Sequence, residues 1–551
     1  MNARDAGKQG RRPPPLRPMS REGLIPPSFA QQRLWFMSRL VPGDFSYNVP
    51  LFARLRGPLD VDALERSLRE LVRRHEVLRT TYAEVEGRPV QRIAPELVLP
   101  LTGESLERLS EGQRESAVRQ RAEEEARRPF DLEKDPPVRA MLLRVAADEH
   151  VLLLVLHHIA CDGWSLGVME RELTALYAAF SRGAVPTLPA LPVQYADHAC
   201  WQREWLTAEA LEAQLEWWKQ QLAGGPAALE LPTDRPRPPM RSFRGAVLKV
   251  PLPSELPGAI RDFSRQENVT PVMTWLAGFQ VLLSRYSGQT DLVVGSPISG
   301  RNRRELEGLI GFFVNTLALR VEAPGEVRFR ELLGRVREAC LGAYAHQELP
   351  FEKLVDALRP ERELTRTPLF QVSFVLEGEP FSGLRLPGVR VEALDFEPGV
   401  AKFDLTLFVR ETASGWVALW EYSTDLFDEA TVARMAAHYA RLLEGAVARP
   451  EQRLSELPLL TEKERRQVLV EWNTTRREYP REACIHALFE AQARLRPEAL
   501  AVAGKGRRLT YRELEARANQ LAHHLRALGV GPEVVAGLCV ERSVDFVVGA
   551  L

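Results

Sequence analysis

Cysteine is scarce. The 551 residues hold five, Cys161, Cys200, Cys340, Cys484 and Cys539, scattered along the chain. An odd number without ligand spacing supplies neither a disulfide framework nor a metal site, and it suits a reducing cytoplasm. Excess charge of either sign is missing too: the formal net charge is -1. Nothing therefore argues for nucleic acid or an anionic membrane as partner. No apolar run approaches the ~20 residues of a membrane-spanning helix. The N-terminal stretch "MNARDAGKQGRRPPPLRP" is basic and proline-rich, and without an apolar centre it is no secretory signal. The serine-hydrolase pattern GxSxG is also absent.

What is present is a soluble globular composition, with 45% hydrophobic and 27% charged residues. The length exceeds the ~250–300 residues at which single cores stop growing, so more than one domain is expected. Residues 1–23 read as a disordered tail, or alternatively as a docking segment. Order is expected to begin at "PPSFAQQRLWFMSRL", where Ser28 and Gln31 form a capping box and Phe29, Phe36, Met37 and Leu40 share a helical face. Asp60 caps a second helix with a stripe of Val61, Leu64, Leu68, Leu71 and Val72. "EVLRTTY" alternates like a strand. "VRAMLLRV" and "HVLLLVLHH" flank "AADE" as a hairpin, and a helix follows through Leu166, Met169, Leu173, Leu176, Tyr177 and Phe180. The proline-rich "GAVPTLPALPVQ" separates two halves. The pattern weakens over 456–480, a linker, and then restarts. The chain ends at "DFVVGAL", within an apolar segment, as though a further domain were cut off.

The stretch "HHIACDGWS", residues 157–165, closes the most apolar run with two titratable rings. Side chains alternate faces along a strand, so if the strand persists to the pair, His157 and His158 point in opposite directions and at most one faces a given cavity. Either ring can be a packed, hydrogen-bonded core histidine. A histidine with an ordinary pKa near ~6.5 can also exchange protons near neutrality. Asp162 can fix an imidazole tautomer, or fix the loop through a salt bridge. Gly163 lets a ligand approach the backbone. Cys161 has no electropositive setting to activate it and reads as filler. The residues alone indicate an α/β protein with one candidate histidine site.

"HHIACDGWS" resembles the HHxxxDG signature of the chloramphenicol-acetyltransferase-like acyltransferases. "SFAQQRLWF" (28–36), "RHEVLRTTY" (74–82), "YADHACWQ" (195–202), "IGFFVNTLALR" (310–320), "HQELPFEKLV" (346–355) and "RTPLFQVSFV" (366–375) are similar, in order, to further motifs of the condensation domains of non-ribosomal peptide synthetases. "LTYRELEARANQLAHHLRALGVGPE" (509–533) resembles the start of an adenylation domain, whose later nucleotide-binding motifs are absent. The resemblance implies two acyltransferase-like lobes (24–190 and 191–455) in a V-shaped pseudo-dimer, a central tunnel, and the beginning of an adenylation domain over 481–551. Carrier proteins bearing phosphopantetheine arms would enter from opposite ends. The downstream aminoacyl amine would attack the upstream acyl thioester without any directly bound cofactor or metal.

By the same resemblance His158 is the catalytic histidine, as a base or by orienting the amine, and His157 supports it. Gly163 leaves room for the thioester. Asp162 is mainly structural, and Arg301 in "SGRN" is its expected partner in the second lobe. Asn315 and Arg79 fall in family motifs with packing roles as open as chemical ones; Trp35 and Trp201 are assigned to core. Epimerisation domains share the histidines but lack the "GFFVNT" type of motif. Heterocyclisation domains carry paired aspartates instead, and silent carrier-recruiting relatives lose the second histidine or the glycine. The motifs look most like the type joining an L-configured donor to an L-configured acceptor. With no carrier domain ahead of the first motif, the donor is expected from another polypeptide or as acyl-coenzyme A. The acceptor carrier and the adenylation domain are expected in cis, in a cytoplasmic monomer.

Overall fold

The computed structural model describes residues 14–358, 365–378, 381, 383–394, 396–397, 399–504 and 506–551. Residues 14–462 form one compact unit and 463–551 another. Within the first unit two sheets carry two separate cores.

The first sheet runs in the order Arg390–Ala393, Asn48–Arg56, Glu149–His157, Val138–Ala146, Leu101–Ser105, antiparallel except for the last pair. Its central strand is apolar on both faces because it is covered on both. Val151 through Leu156 are each at most 1% exposed, and burying such a side chain is worth roughly 1.5–3 kcal/mol. A strand this buried reads as a continuous run rather than an alternation. The helix Val61–Arg74 packs Leu64, Leu68, Leu71 and Val72 into this core, with the Asp60 carboxylate accepting from the Ala63 amide at 2.9 Å. The second sheet runs Gly245–Pro251, Gly415–Ser423, Leu405–Thr412, Val372–Gly378, Asp291–Ile298, Asn315–Glu322. Its core surrounds the helices Pro271–Ser287 and Glu429–Ala448.

The second half of the chain lends segments to the first lobe. Residues 191–455 do not all serve the second core: Val193, Tyr195, Leu306, Ile310, Phe313 and Phe381 pack into the first. The strand Arg390–Ala393 joins the first sheet outright, pairing antiparallel with Asn48–Arg56. Glu170, on the helix Gly163–Phe180, receives the amides of Phe381 at 2.5 Å and Gly383 at 2.9 Å.

Three sequence expectations change. The helix Phe29–Leu40 does not bury Phe36 and Leu40, which are 58% and 63% exposed. It turns Gln31, Leu34 and Trp35 inward instead. The Gln31 amide group donates to the Tyr82 hydroxyl at 2.7 Å and the Ile159 carbonyl at 3.2 Å, so a polar residue holds the buried face. Glu76–Arg79 is a 3-10 turn, and the strand starts only at Thr80. Residues 14–23 are no loose tail: Leu16 is buried in the first core, the Trp201 indole donates to the Pro14 carbonyl at 2.8 Å, and the Met19 amide donates to Asp197 at 2.8 Å. Residues 1–13 of that expected tail lie outside the described residues. Among the described residues, no helix is long and apolar enough to cross a membrane.

The second unit holds the hairpin of Leu500–Gly504 and Arg507–Thr510 with the helices Ile485–Leu495 and Tyr511–Ala527. Its core is small, centred on Leu509, Leu514 and Val544.

Candidate active site at the lobe junction

The central strand ends at His157, and one 3-10 turn, His158–Ala160, leads to Cys161 and Asp162. The strand stops before His158, yet the two rings still part. His157 is 4% exposed and packs against Phe130 and Tyr47, with ring centroids 5.8 and 6.4 Å away. His158 is half-buried and meets the edge of Phe312, from the second half of the chain, at 5.2 Å.

Their hydrogen bonds fix opposite tautomers. His158 Nδ1 lies 2.8 Å from the Cys161 carbonyl oxygen, which can only accept. The proton therefore sits on Nδ1, and Nε2 keeps its lone pair. His157 Nδ1 instead accepts from the Ile159 amide at 3.1 Å, which leaves its proton on Nε2. Burial, with the Lys402 and Arg33 cations nearby, pushes the His158 imidazole down to about 3. Burial, the neighbouring His158 and the Lys402 and Arg139 cations do the same to His157, also to about 3. Both rings are neutral at physiological pH. Cys161 is fully buried, and burial drives its thiol far above the ordinary range, so it is inert.

Asp162 begins the helix Gly163–Phe180 as its N-cap. Oδ1 accepts from the Ser165 amide at 2.9 Å and lies 2.7 Å from the Ser165 hydroxyl. Oδ2 accepts from Arg301 Nη1 at 2.7 Å and from the Phe313 amide at 3.0 Å. Both charged side chains are fully shielded from solvent. Arg301 Nη2 reaches the Ser165 hydroxyl at 2.9 Å and the Leu309 carbonyl at 3.2 Å, and the guanidinium lies over the Phe313 ring at 4.2 Å. Ser165 also receives the Gly311 amide at 3.0 Å. Gly300 makes this approach feasible: its φ is +62°, and a Cβ there would stand 2.1 Å from the Phe313 carbonyl oxygen.

Gly163 is exposed at the first turn of this helix, and a Cβ added there would meet nothing within 4 Å. Its N–H belongs to the first-turn amides that have no partner inside a helix, and the N-terminus carries positive partial charge. Phe312 also lines a cleft formed by residues of both halves, among them Ser28, Tyr195, Trp205, Phe313 and Asn315.

The condensation-domain family profile matches residues 21–469. The chain belongs to that family. Condensation domains of non-ribosomal peptide synthetases are amide-forming acyltransferases. A second profile, that of the AMP-binding enzymes, matches residues 489–551 of this condensation-domain chain. One subunit of the linear gramicidin synthase of Brevibacillus parabrevis is 49% identical over 547 residues, 99% of this chain but 7% of that relative. Among solved structures, the X-domain in complex with OxyB from teicoplanin biosynthesis superposes with a TM-score of 0.73 at 30% identity, over 83% of this chain and 100% of that one. A four-domain nonribosomal peptide synthetase bound to AMP and glycine gives 0.79 at 22% identity, over 92% of this chain and 39% of that one, a likeness of fold.

In this condensation domain the structure brings His157, His158, Asp162, Gly163 and Arg301 together, Arg301 on Asp162. Arg79 and Asn315 stand in structural settings. Arg79 binds the Ala94 carbonyl. Asn315 donates to the carbonyls of Gln347 at 2.9 Å and Leu349 at 2.7 Å and accepts from the Phe351 amide at 3.0 Å, stapling the 347–351 loop. Trp35 and Trp201 are buried, and Trp201 also lines the cleft. Ser165, Phe312, Tyr47 and Lys402 join the site without having been singled out in the sequence. Ser165 was within reach, because a serine three residues after an N-cap aspartate offers both amide and hydroxyl to it. The others are neighbours only in the fold.

Two outcomes follow. Asp162→Ala removes a cap and strands the buried Arg301, which costs about 3–5 kcal/mol; chemical denaturation of the two proteins measures it, and a loss below about 1 kcal/mol would contradict the description of Asp162 as the clamp. Gly163→Val leaves the unfolding midpoint within a few degrees, since its side chain enters open space, while ligands that approach the helix N-terminus lose room. A large drop in midpoint would mean that the glycine serves the fold instead.

Proposed function

We propose that this condensation domain forms an amide between an acyl or peptidyl thioester on an upstream carrier protein and the amine of an aminoacyl thioester on a downstream carrier. The phosphopantetheine arms of the two carriers hold the substrates, and they approach the lobe junction from opposite sides. The acceptor carrier and adenylation domain lie in cis, and both substrates are L-configured. The linear gramicidin synthase likeness and the AMP-binding match support the adenylation domain in cis.

One observation carries the reading: the Nε2 lone pair of His158 is left free by the Nδ1–Cys161 bond, within a few residues of the open helix N-terminus at Gly163. His158 accepts a hydrogen bond from the amine and aims its nitrogen at the thioester carbon. Its depressed basicity makes it a weak proton acceptor and a good orienting group. Orientation alone contributes several kcal/mol to such a bimolecular step. His157 supports the turn through its Nδ1, Gly163 accommodates the thioester, and Asp162 with Arg301 holds both in place.

The test is amide formation with both carriers loaded. Wild type forms product, and His158→Ala slows it by about 10²–10³-fold; an undiminished variant would sink the role of His158. Replacing the donor carrier by acyl-coenzyme A in the same assay separates elongation from chain initiation. Scrambled configuration without amide would point to epimerisation.

The pH dependence gives a second check. The imidazole stays neutral down to about pH 3, whereas a free α-amine has an ordinary pKa near ~8. The acid limb of the rate profile therefore follows the amine. Acceptors with less basic amines move the limb to lower pH; a limb fixed near ~6.5 for every acceptor would indicate a titrating histidine instead.

A further inference from the structure

Lys402 belongs to no motif noted in the sequence. It lies just before the strand Leu405–Thr412 of the second lobe, in a loop anchored from both sides. The Ala401 amide donates to the Phe243 carbonyl at 2.9 Å, Arg241 binds the Lys402 carbonyl, and Arg237 clamps Asp404 at 3.0 and 2.5 Å. The side chain crosses to the first lobe, where its ammonium stands 4.9 Å from the centre of the Tyr47 ring. Tyr47 in turn holds the histidine pair: its carbonyl accepts from the His158 amide at 2.8 Å, and its ring faces His157.

Two other cations at this junction sit in ion pairs, while Arg241 is occupied by the Lys402 carbonyl. Arg301 is on Asp162 at 2.7 Å and Arg33 on Glu352 at 3.0 Å. Among the described residues no carboxylate stands within 4 Å of the Lys402 ammonium; Glu421 takes the main-chain amide of Lys402, at 3.4 Å. The Glu421 carboxyl feels the Lys402 charge without forming a direct ion pair with it, and a half-buried ammonium with no direct carboxylate contact is unfavourable unless it serves a purpose. The reaction proposed above develops negative charge. The amine nitrogen bonds to the thioester carbon as the carbonyl π pair moves onto oxygen. When that pair returns, the C–S bond breaks, and the sulfur leaves with its electrons and takes up the proton released by nitrogen, giving amide and thiol.

We propose that Lys402 is a catalytic residue of the second lobe, placed beside the histidine pair to stabilise the negative charge that the thioester carbonyl oxygen gains when the amine attacks. This rests on the amide-forming function, and the two fail separately. Single-turnover amide formation is measured at saturating carrier concentrations for wild type, Lys402→Met and Lys402→Arg. Lys402→Met slows the step by about 10²–10³-fold with unchanged half-saturation by either carrier, and Lys402→Arg stays within tenfold of wild type. The groups facing His158 are Lys402, Arg33 and the adjacent His157. Removing the lysine charge therefore moves the His158 imidazole titration, read by NMR, to higher pH, which checks that the ammonium faces the ring, while the rate split between Lys402→Met and Lys402→Arg reads the catalytic role. A Lys402→Met rate equal to wild type, or a defect confined to carrier half-saturation, would overturn the assignment. A wild type that forms no amide would overturn the function beneath it.

Discussion

The buried ion pair between Asp162 and Arg301 is the constraint from which the site follows. One carboxylate caps the helix Gly163–Phe180, receives an arginine from the other half of the chain, and binds the Phe313 amide. Either charge alone in that shielded position would cost several kcal/mol, so each half needs the other to be complete. The pair does little for net stability beyond what an apolar contact would supply, but it sets a register. With Asp162 fixed, the preceding turn and the following glycine are fixed. With Arg301 and the Phe313 amide fixed, Phe312 is brought against His158.

That register explains why two adjacent histidines differ in kind. They share a neighbourhood, and both are held neutral by desolvation and by the same Lys402 cation. They differ in which nitrogen the backbone claims. The Cys161 carbonyl takes the Nδ1 proton of His158, and the Ile159 amide takes the Nδ1 lone pair of His157. A tight turn of three residues thus presents one acceptor and one donor from a single dipeptide. Cys161 contributes its main chain and fills space with its side chain.

Much of this was legible in the sequence, for identifiable reasons. Strand alternation placed His157 and His158 on opposite faces; the rings do part, although the 3-10 turn rather than the strand directs His158. The motif order revealed the family, and Arg301 was paired with Asp162 through that resemblance. Failures came where tertiary contacts override local pattern. The helix Phe29–Leu40 has two apolar faces, and only the fold, through Gln31 reaching Tyr82 and Ile159, decides which one turns inward. Residues 14–23 looked loose because prolines and charges dominate them, yet Leu16 finds the first core and Trp201 finds the Pro14 carbonyl. Lys402 was invisible, because its approach to Tyr47 exists only in the fold.

The lending of second-half segments to the first lobe follows from the same demand for register. A site assembled from two halves is only as well placed as the halves are, and one ion pair leaves rotation about itself. The strand Arg390–Ala393 pairs into the first sheet at one place, and Glu170 receives the Phe381 and Gly383 amides beside it. The segment carrying Ile310 is held at another place, where its amide meets His75 Nδ1 at 3.3 Å and the far side of that ring meets Glu172 at 3.0 Å. Glu172, kept ionised against its burial by His75 and Arg74, lies on the same helix that Asp162 caps and Glu170 serves. The helix Gly163–Phe180 is thus held at its cap and along its buried side by groups from both halves. Its free N-terminal amides keep a fixed direction, and a thioester arriving there meets a preorganised site.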